Sequence, residues 1–198
     1  MVMRVEPVVL TGNVVRLEPM QPQHAQALLE AGQDHSNWMY MWTDPNGSLG
    51  SIQAWMSVAL AEMEQGSTLP FVTIQQSSGR IVGSTRYMDI RAKDYGLEIG
   101  GTWLMPEVRR TAINTECKYL LLRHAFETLG AIRVQLKTDS RNLRSQQAIE
   151  RLGAIKEGVL RNHIIMPDGQ YRHSVYYSVI KQEWPAVKAR LEAFMSAL

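Results

Sequence analysis

Glu98-Ile-Gly-Gly-Thr-Trp-Leu-Met-Pro-Glu-Val-Arg-Arg-Thr-Ala-Ile-Asn-Thr-Glu116 reads as a strand, a turn and the opening of a helix in one continuous run. Pro106 punctuates the turn, and Arg109 and Arg110 stand just before the helical pattern. The first N–H groups of a helix have no intrahelical partners, and the helix dipole leaves that end partly positive. Two arginines beside such an end make a seat for an anion, of which phosphate is the natural example. Glycines, the usual mark of a phosphate loop, are absent between Arg109 and Thr115, so the same residues also read as an ordinary strand-to-helix connection with surface arginines.

Downstream, the pattern predicts a helix from Asn114 to about Leu129, with Tyr119, Leu122, Phe126 and Leu129 on one side and Gly130 to stop it. Ile132 to Thr138 is a short buried strand, and a second helix starts near Asn142, turns Ala148, Ile149 and Leu152 inward, and closes at Gly153. Ala154–Ile165 and Tyr171–Ile180 are strands flanking the turn Pro167-Asp168-Gly169. A three-residue loop there puts His163 opposite His173, two rings that pack, share a proton, meet a substrate carboxylate or catch a stray metal. Two ligands are too few for a structural zinc, and no metal site is expected. The chain from 183 to 197 is a last helix.

Upstream, Tyr95 to Leu104 is a strand interrupted by Gly96, Gly100 and Gly101, and glycine inside a strand marks a bulge or a close approach. Leu69–Gln75 and Arg80–Ile90 are strands joined by the hairpin signal Gln76-Ser-Ser-Gly79. Ser48 caps a helix whose Ile52, Trp55, Met56, Ala59, Leu60 and Met63 recur at helical spacing. Before it, Gly32 to Gly47 is a loop carrying Trp38, Met39, Tyr40, Met41 and Trp42, which either covers the core or lines a substrate site. Val14–Glu18 is a first strand, and Pro22 opens a helix with Ala25, Leu28 and Leu29. The order of elements predicts an α/β fold with a mixed sheet, as one domain over residues 1–198 with its core at about 10–182.

The whole chain sets bounds on function. At 198 residues with 45% hydrophobic residues, it can bury a proper core. A formal net charge of +2 argues against nucleic acid or an anionic membrane as partner. The one cysteine, Cys117, reads as a small buried helix residue and fits a reducing compartment. Met1 to Leu10 has no signal-peptide run, and nothing approaches a membrane span, so a cytoplasmic protein is expected. The sequence does not set the oligomeric state, and a homodimer is compatible with it.

Taken together, Glu98-Ile-Gly100, Trp103-Leu-Met-Pro-Glu107, Arg109 to Glu116, Ala125-Phe-Glu127, Ile132-Arg-Val134, Asn142-Leu-Arg-Ser145, Arg151-Leu-Gly-Ala154 and Glu157-Gly158 resemble the GCN5-related N-acetyltransferases (GNAT). Within that family the chain looks most like the branch that acetylates ribosomal-protein N-termini. The resemblance implies a mostly antiparallel mixed sheet with helices on both faces. It also implies acetyl-CoA bound in a split between two parallel strands, Glu98–Leu104 and Ile132–Thr138, with backbone at Leu104 and Met105 pairing with pantetheine.

The family's pyrophosphate loop falls on Arg109, Arg110, Thr111, Ala112, Ile113, Asn114 and Thr115, where the two family glycines are replaced by Ala112 and Asn114. Asn114 tolerates a left-handed backbone or caps the helix. Arg141 and Arg144 are further phosphate candidates, and Asn142 is a helix cap, a donor to pantetheine, or both. The tyrosine that many members use to protonate the leaving thiolate is replaced by Ile149. The resemblance puts Glu98 as base and Ser145 as donor near the sulfur, against the plainer readings of an arginine-paired carboxylate and a serine satisfying its own helix turn. Trp38, Tyr40 and Trp42 are candidates to line the acceptor site. The acceptor is a primary amine on a protein N-terminus or a small molecule, including an antibiotic; a CoA-binding sensor without turnover is the alternative.

Overall fold

The computed structural model describes residues 2–45 and 47–196. Met1, Asn46, Ala197 and Leu198 lie outside them, and with them fall the first residue of the N-terminal stretch, one residue of the aromatic loop and the expected end of the last helix. Eight strands form one sheet: β1 (Leu10–Thr11), β2 (Val15–Pro19), β3 (Leu69–Gln75), β4 (Ile81–Arg91), β5 (Gly96–Leu104), β6 (Arg133–Asp139), β7 (Ile155–Ile165) and β8 (Tyr171–Ile180). Their order is β1-β2-β3-β4-β5-β6-β8-β7, and β5 with β6 is the parallel pair, the other neighbours being antiparallel. The helices are α1 (Ala25–Ala31), α2 (Leu49–Glu64), α3 (Ala112–Arg123), α4 (Leu143–Leu152) and α5 (Trp184–Ser196).

Strand alternation divides the core in two. Along β3, Leu69 and Phe71 enter the larger cluster, with Ile113, Leu120 and Leu121 of α3 and Trp184, Val187 and Leu191 of α5. The intervening Val72 and Ile74 enter a second cluster with Leu28 of α1, Ile52 and Met56 of α2, and Trp38. Helices therefore cover both faces. Long-range polar bonds fasten α3 to its strands. The Tyr87 hydroxyl donates to the Leu121 carbonyl at 2.6 Å. The buried Glu116 carboxylate accepts from the backbone N–H groups of Asn13, Val14 and Val15 at 2.7–2.8 Å, and Gly12 leaves the room it needs.

β5 carries the feature that shapes the site. Its pairing with β4 slips by one residue between Gly100↔Arg86 and Trp103↔Ser84, a bulge with Gly101 at φ +56°. A Cβ at Gly101 would lie 2.9 Å from Arg86 Nε. One extra residue flips the side-chain alternation, so Leu97 and Ile99 join the α3 cluster while Trp103 joins the α1–α2 cluster. On its other edge β5 pairs β6 only through Gly96↔Arg133, Leu97↔Val134 and Glu98↔Gln135; beyond Glu98 the two strands part.

Three local expectations are corrected. Thr111, not Asn114, caps α3: its Oγ1 accepts from the Ile113 N–H at 3.3 Å and donates to the Val108 carbonyl, so the helix begins at Ala112. The left-handed residue is Arg110 (φ +61°), while Asn114 sits inside the first helical turn. The expected run to Leu129 ends its α-helical part at Arg123 and widens over His124–Thr128, where the Leu129 N–H reaches back to the His124 carbonyl. In the last hairpin Met166 and Gln170 do flank the loop, but β7 bulges so that Leu160 faces Ser174 and Ile164 faces Arg172. With Asn162 left-handed, His163 bonds Ser174 Oγ at 2.9 Å and packs edge-on against Tyr176, and His173 accepts from the Asn162 N–H. The directly opposed histidine pair is therefore not formed.

Candidate active site

The parting of β5 and β6 opens a cavity of about 590 Å³, walled by the β5–β6 gap, the start of α3, one side of α4 and the aromatic loop. Met105 N–H donates to the Val82 carbonyl at 2.8 Å and so stays with β4, which removes it as a free pantetheine partner. Alternation along an antiparallel ladder then turns the backbone of Leu104 toward the gap, where its carbonyl accepts from Arg109 Nε at 3.1 Å.

The arginines at the α3 end divide sharply. Arg109 is spent within the fold: besides Leu104 it reaches Ser36 Oγ at 3.2 Å, Asn37 Oδ1 at 2.8 Å and Asp34 at 2.5 Å. Hydrogen bonds from Ser36 and then Arg109 hold the Asp34 carboxyl at about 2, well below its ordinary value. The expected phosphate arginine is thus the clasp of the loop leading to Trp38. Arg141 is similarly taken, bidentate on Asp139 and bonded to Gln170. Arg110 and Arg144 line the cavity, are exposed, and make no ion pair among the described residues. Arg151 joins them one turn beyond Ala148, donating to Thr115 Oγ1 at 2.8 Å. Its i, i+7 spacing from Arg144 was readable in the sequence and was missed. Ala112 and Ile113 supply the first backbone of α3, with the Ile113 side chain buried in the core; Asn114 lines the cavity and Thr115 is buried.

On α4, Asn142 caps the helix, its Oδ1 accepting from the Ser145 N–H at 3.1 Å, and its amide donors make no bond among the described residues. Ser145 lines the cavity, and its hydroxyl likewise has no partner among the described residues. Lys118 on α3 was not singled out by sequence. It lines the cavity with its side chain buried, and Nζ donates to Thr102 Oγ1 at 2.6 Å and Thr85 Oγ1 at 3.4 Å. Burial pushes its ammonium down to about 8. Cys117 is buried, and burial pushes its thiol up to about 12, which removes it as a nucleophile.

At the far end Glu98 is 1% exposed and faces the cavity. Its Oε2 accepts from Gln135 Nε2 at 2.7 Å and pairs with Lys137 Nζ at 3.0 Å, while Oε1 makes no hydrogen bond among the described residues. The partner is a lysine on β6, not an arginine. Tyr40 and Trp42 line this end. Trp38 does not: it is 3% exposed, packed edge-on against Trp55 and tilted against Trp103, with Nε1 donating to the Gly32 carbonyl at 2.9 Å. Its expected substrate role gives way to packing, because burying an indole there costs nothing once its N–H is satisfied. Arg172 of β8 also borders the cavity and was not foreseen. Among the described residues no three His, Cys, Asp or Glu side chains gather as a metal site, and no helix is long and apolar enough to cross a membrane.

A cleft between parting parallel strands, with a helix N-terminus at one end and a buried carboxylate at the other, suits transfer of an acyl group from a phosphate-bearing carrier. Residues 15–155 match the family described as the acetyltransferase (GNAT) domain. The chain belongs to that family. It is 33% identical over 88 residues to the putative ribosomal N-acetyltransferase YdaF of Bacillus subtilis (strain 168), a stretch of 44% of this chain and 48% of that protein. The match thus spans about half the length of that curated relative. The crystal structure of a putative acetyltransferase from T. thermophilus is 39% identical, covering 96% of this chain and 98% of that one, with a TM-score of 0.87. A GCN5-related N-acetyltransferase from Brucella melitensis is 28% identical, covering 97% and 87%, with a TM-score of 0.91.

Proposed function

We propose that the chain transfers the acetyl group of acetyl-CoA to the primary amine of a protein N-terminus by direct attack. The observation that carries this reading is the β5–β6 split, because it joins two chemically different ends through one opening. The side chains present fit the carrier. Arg110, Arg144 and Arg151, with the first N–H groups of α3, are donors for its phosphates, and the gap-facing backbone of Leu104 and the amide of Asn142 suit the peptide-like pantetheine. Acetyl-CoA supplies an activated acyl group that needs no covalent enzyme intermediate, and Cys117 offers none.

The chain's own contribution is positioning and proton handling. Glu98 keeps Oε1 open while Gln135 and Lys137 fix the carboxylate through Oε2, so Oε1 can take a proton from the incoming ammonium directly or through water. Ser145 presents an uncommitted hydroxyl at the start of α4, a donor for the departing sulfur where Ile149 occupies the tyrosine position. Tyr40 and Trp42 shape the acceptor end and exclude water from it. The named relative in Bacillus subtilis supports the N-terminal acceptor over a small-molecule amine.

The test is release of free thiol from acetyl-CoA with ribosomal-protein N-terminal peptides, set against a panel of small amines and aminoglycosides. Turnover on peptides at kcat/KM well above the small amines is the expected result. The reverse ranking assigns the site to a small-molecule amine. A rise in Tm with acetyl-CoA and no thiol release on any amine would mark a sensor.

A further inference from the structure

The acceptor end holds more positive charge than it neutralises internally. Two of its cations are matched: Lys137 with Glu98 at 3.0 Å and Arg141 with Asp139 at 2.7 Å. His163 bonds the Ser174 hydroxyl, and burial and the nearby Lys137 and Arg172 push its pKa down, so it adds no counter-ion and little charge. Arg172 is left over. It is 3% exposed, borders the cavity, and makes no ion pair among the described residues. Nη1 donates to the Tyr40 carbonyl at 3.2 Å, Nε is buried without a partner, and Nη2 has no bond among the described residues. Nε–H and Nη2–H together form the side-on edge of a guanidinium, which presents two parallel donors to one carboxylate. Asp139 and then Glu98 attract Arg172 through space, but both carboxylates are already bonded to other cations, so the buried Nε–Nη2 edge lacks an acceptor that a ligand carboxylate would supply.

We infer that the acceptor amine belongs to a molecule that also carries a carboxylate, and that Arg172 reads it through its Nε–Nη2 edge. The inference rests on the part of the reading above that peptide and small-molecule acceptors share, acetyl transfer to a primary amine, and narrows the acceptor to one that carries a carboxylate. The carboxylate has two sources, the α-carboxylate of a free amino acid or an acidic side chain beside a peptide N-terminus. Arg172, Tyr40 and Glu98 line the same cavity, so a carboxylate held by Arg172 keeps the amine of the same molecule on the Glu98 side of the opening.

The experiment measures kcat/KM with acetyl-CoA for matched acceptors in two arms: alanine against alaninamide, and peptides beginning Ala-Asp against Ala-Asn. Wild type, Arg172→Met and Arg172→Lys are compared. The expected result is at least a tenfold preference for the carboxylate-bearing member in one arm, lost in Arg172→Met, partly kept in Arg172→Lys, with acetyl-CoA affinity unchanged. The arm that shows it identifies the source. Turnover without preference in wild type overturns the inference and leaves the transfer reading standing, whether or not the methionine variant folds. A preference that survives in Arg172→Met also overturns it. No turnover in either arm overturns both.

Discussion

The two ends of the cavity use charge in opposite ways. At the α3–α4 end Arg110, Arg144 and Arg151 are exposed and make no ion pair among the described residues. At the acceptor end Glu98 and Arg172 are 1% and 3% exposed, Glu98 is fixed by Gln135 and Lys137, and Arg172 bonds the Tyr40 carbonyl. Exposed charges act through water and are screened within about 10 Å at 0.1 M salt, so several cooperate and each is replaceable. Buried charges act through fixed geometry, so one atom decides. Adjacent Arg109 and Arg110 carry the contrast in miniature: the first is tied to Asp34, Ser36 and Asn37, while the second takes a left-handed backbone and makes no ion pair among the described residues.

The sharpest way to break this comparison is at Glu98. Glu98→Gln should lower kcat by about 100-fold or more, the usual worth of a proton-transfer group, with the Kd for acetyl-CoA preserved. Parent kcat in that variant would mean that positioning alone works at the buried end. Next in size is Lys118. Its ammonium sits at about 8 in the fold against an ordinary 10.5, so between those values the unfolded chain holds more protons and stability rises with pH. Below that window both states are protonated and the burial cost, on the order of 3 kcal/mol, remains in full. Lys118→Met should therefore raise Tm at pH 7, and its advantage over wild type should shrink between pH 8 and 10. A pH-independent difference in urea midpoints would show that Lys118 is not desolvated.

The exposed end should respond more gently. Arg110→Ala with Arg144→Ala should weaken acetyl-CoA about tenfold at low salt and less at high salt, with kcat at saturation nearly unchanged. Arg109→Ala should instead lower Tm and leave the salt dependence of acetyl-CoA binding as in wild type. Interchanged results for these two positions would erase the contrast between them. Smallest of all, Ser145→Ala should cost a few-fold in kcat, because water can replace a hydroxyl donor and a thiolate leaves readily near neutral pH. A loss as large as that of Glu98→Gln would make Ser145 an obligatory acid.

Legibility in the sequence followed the range of the interaction. Elements set by local chemistry were readable: Ser48 caps α2 and Asn142 caps α4, as expected from side chains that bond their own first turn. The wrong start of α3 has the same cause seen in reverse, since Thr111 and Asn114 are both good caps and only the fold shows that Thr111 bonds the Ile113 N–H. Trp38 and Trp42 are alike in the sequence, four residues apart in one loop. Only packing sends one between Trp55 and Trp103 and leaves the other at the cavity.

What the amino-acid sequence determined by itself was most of the elements, their order and the mixed sheet, because periodicity, caps and turn residues act within a few positions of themselves; the split between β5 and β6 was implied by the family resemblance. The partners of the charged groups were decided only by the tertiary structure. Glu116 reaches back to Asn13–Val15, Arg109 to Asp34, Glu98 across to Lys137, and Arg172 to Tyr40, over separations of 39 to 132 residues. Nothing local in the chain encodes such pairings. A long, flexible charged side chain takes whichever partner the folded backbone brings within 3 Å or so, and burial then fixes the choice by making every alternative cost desolvation.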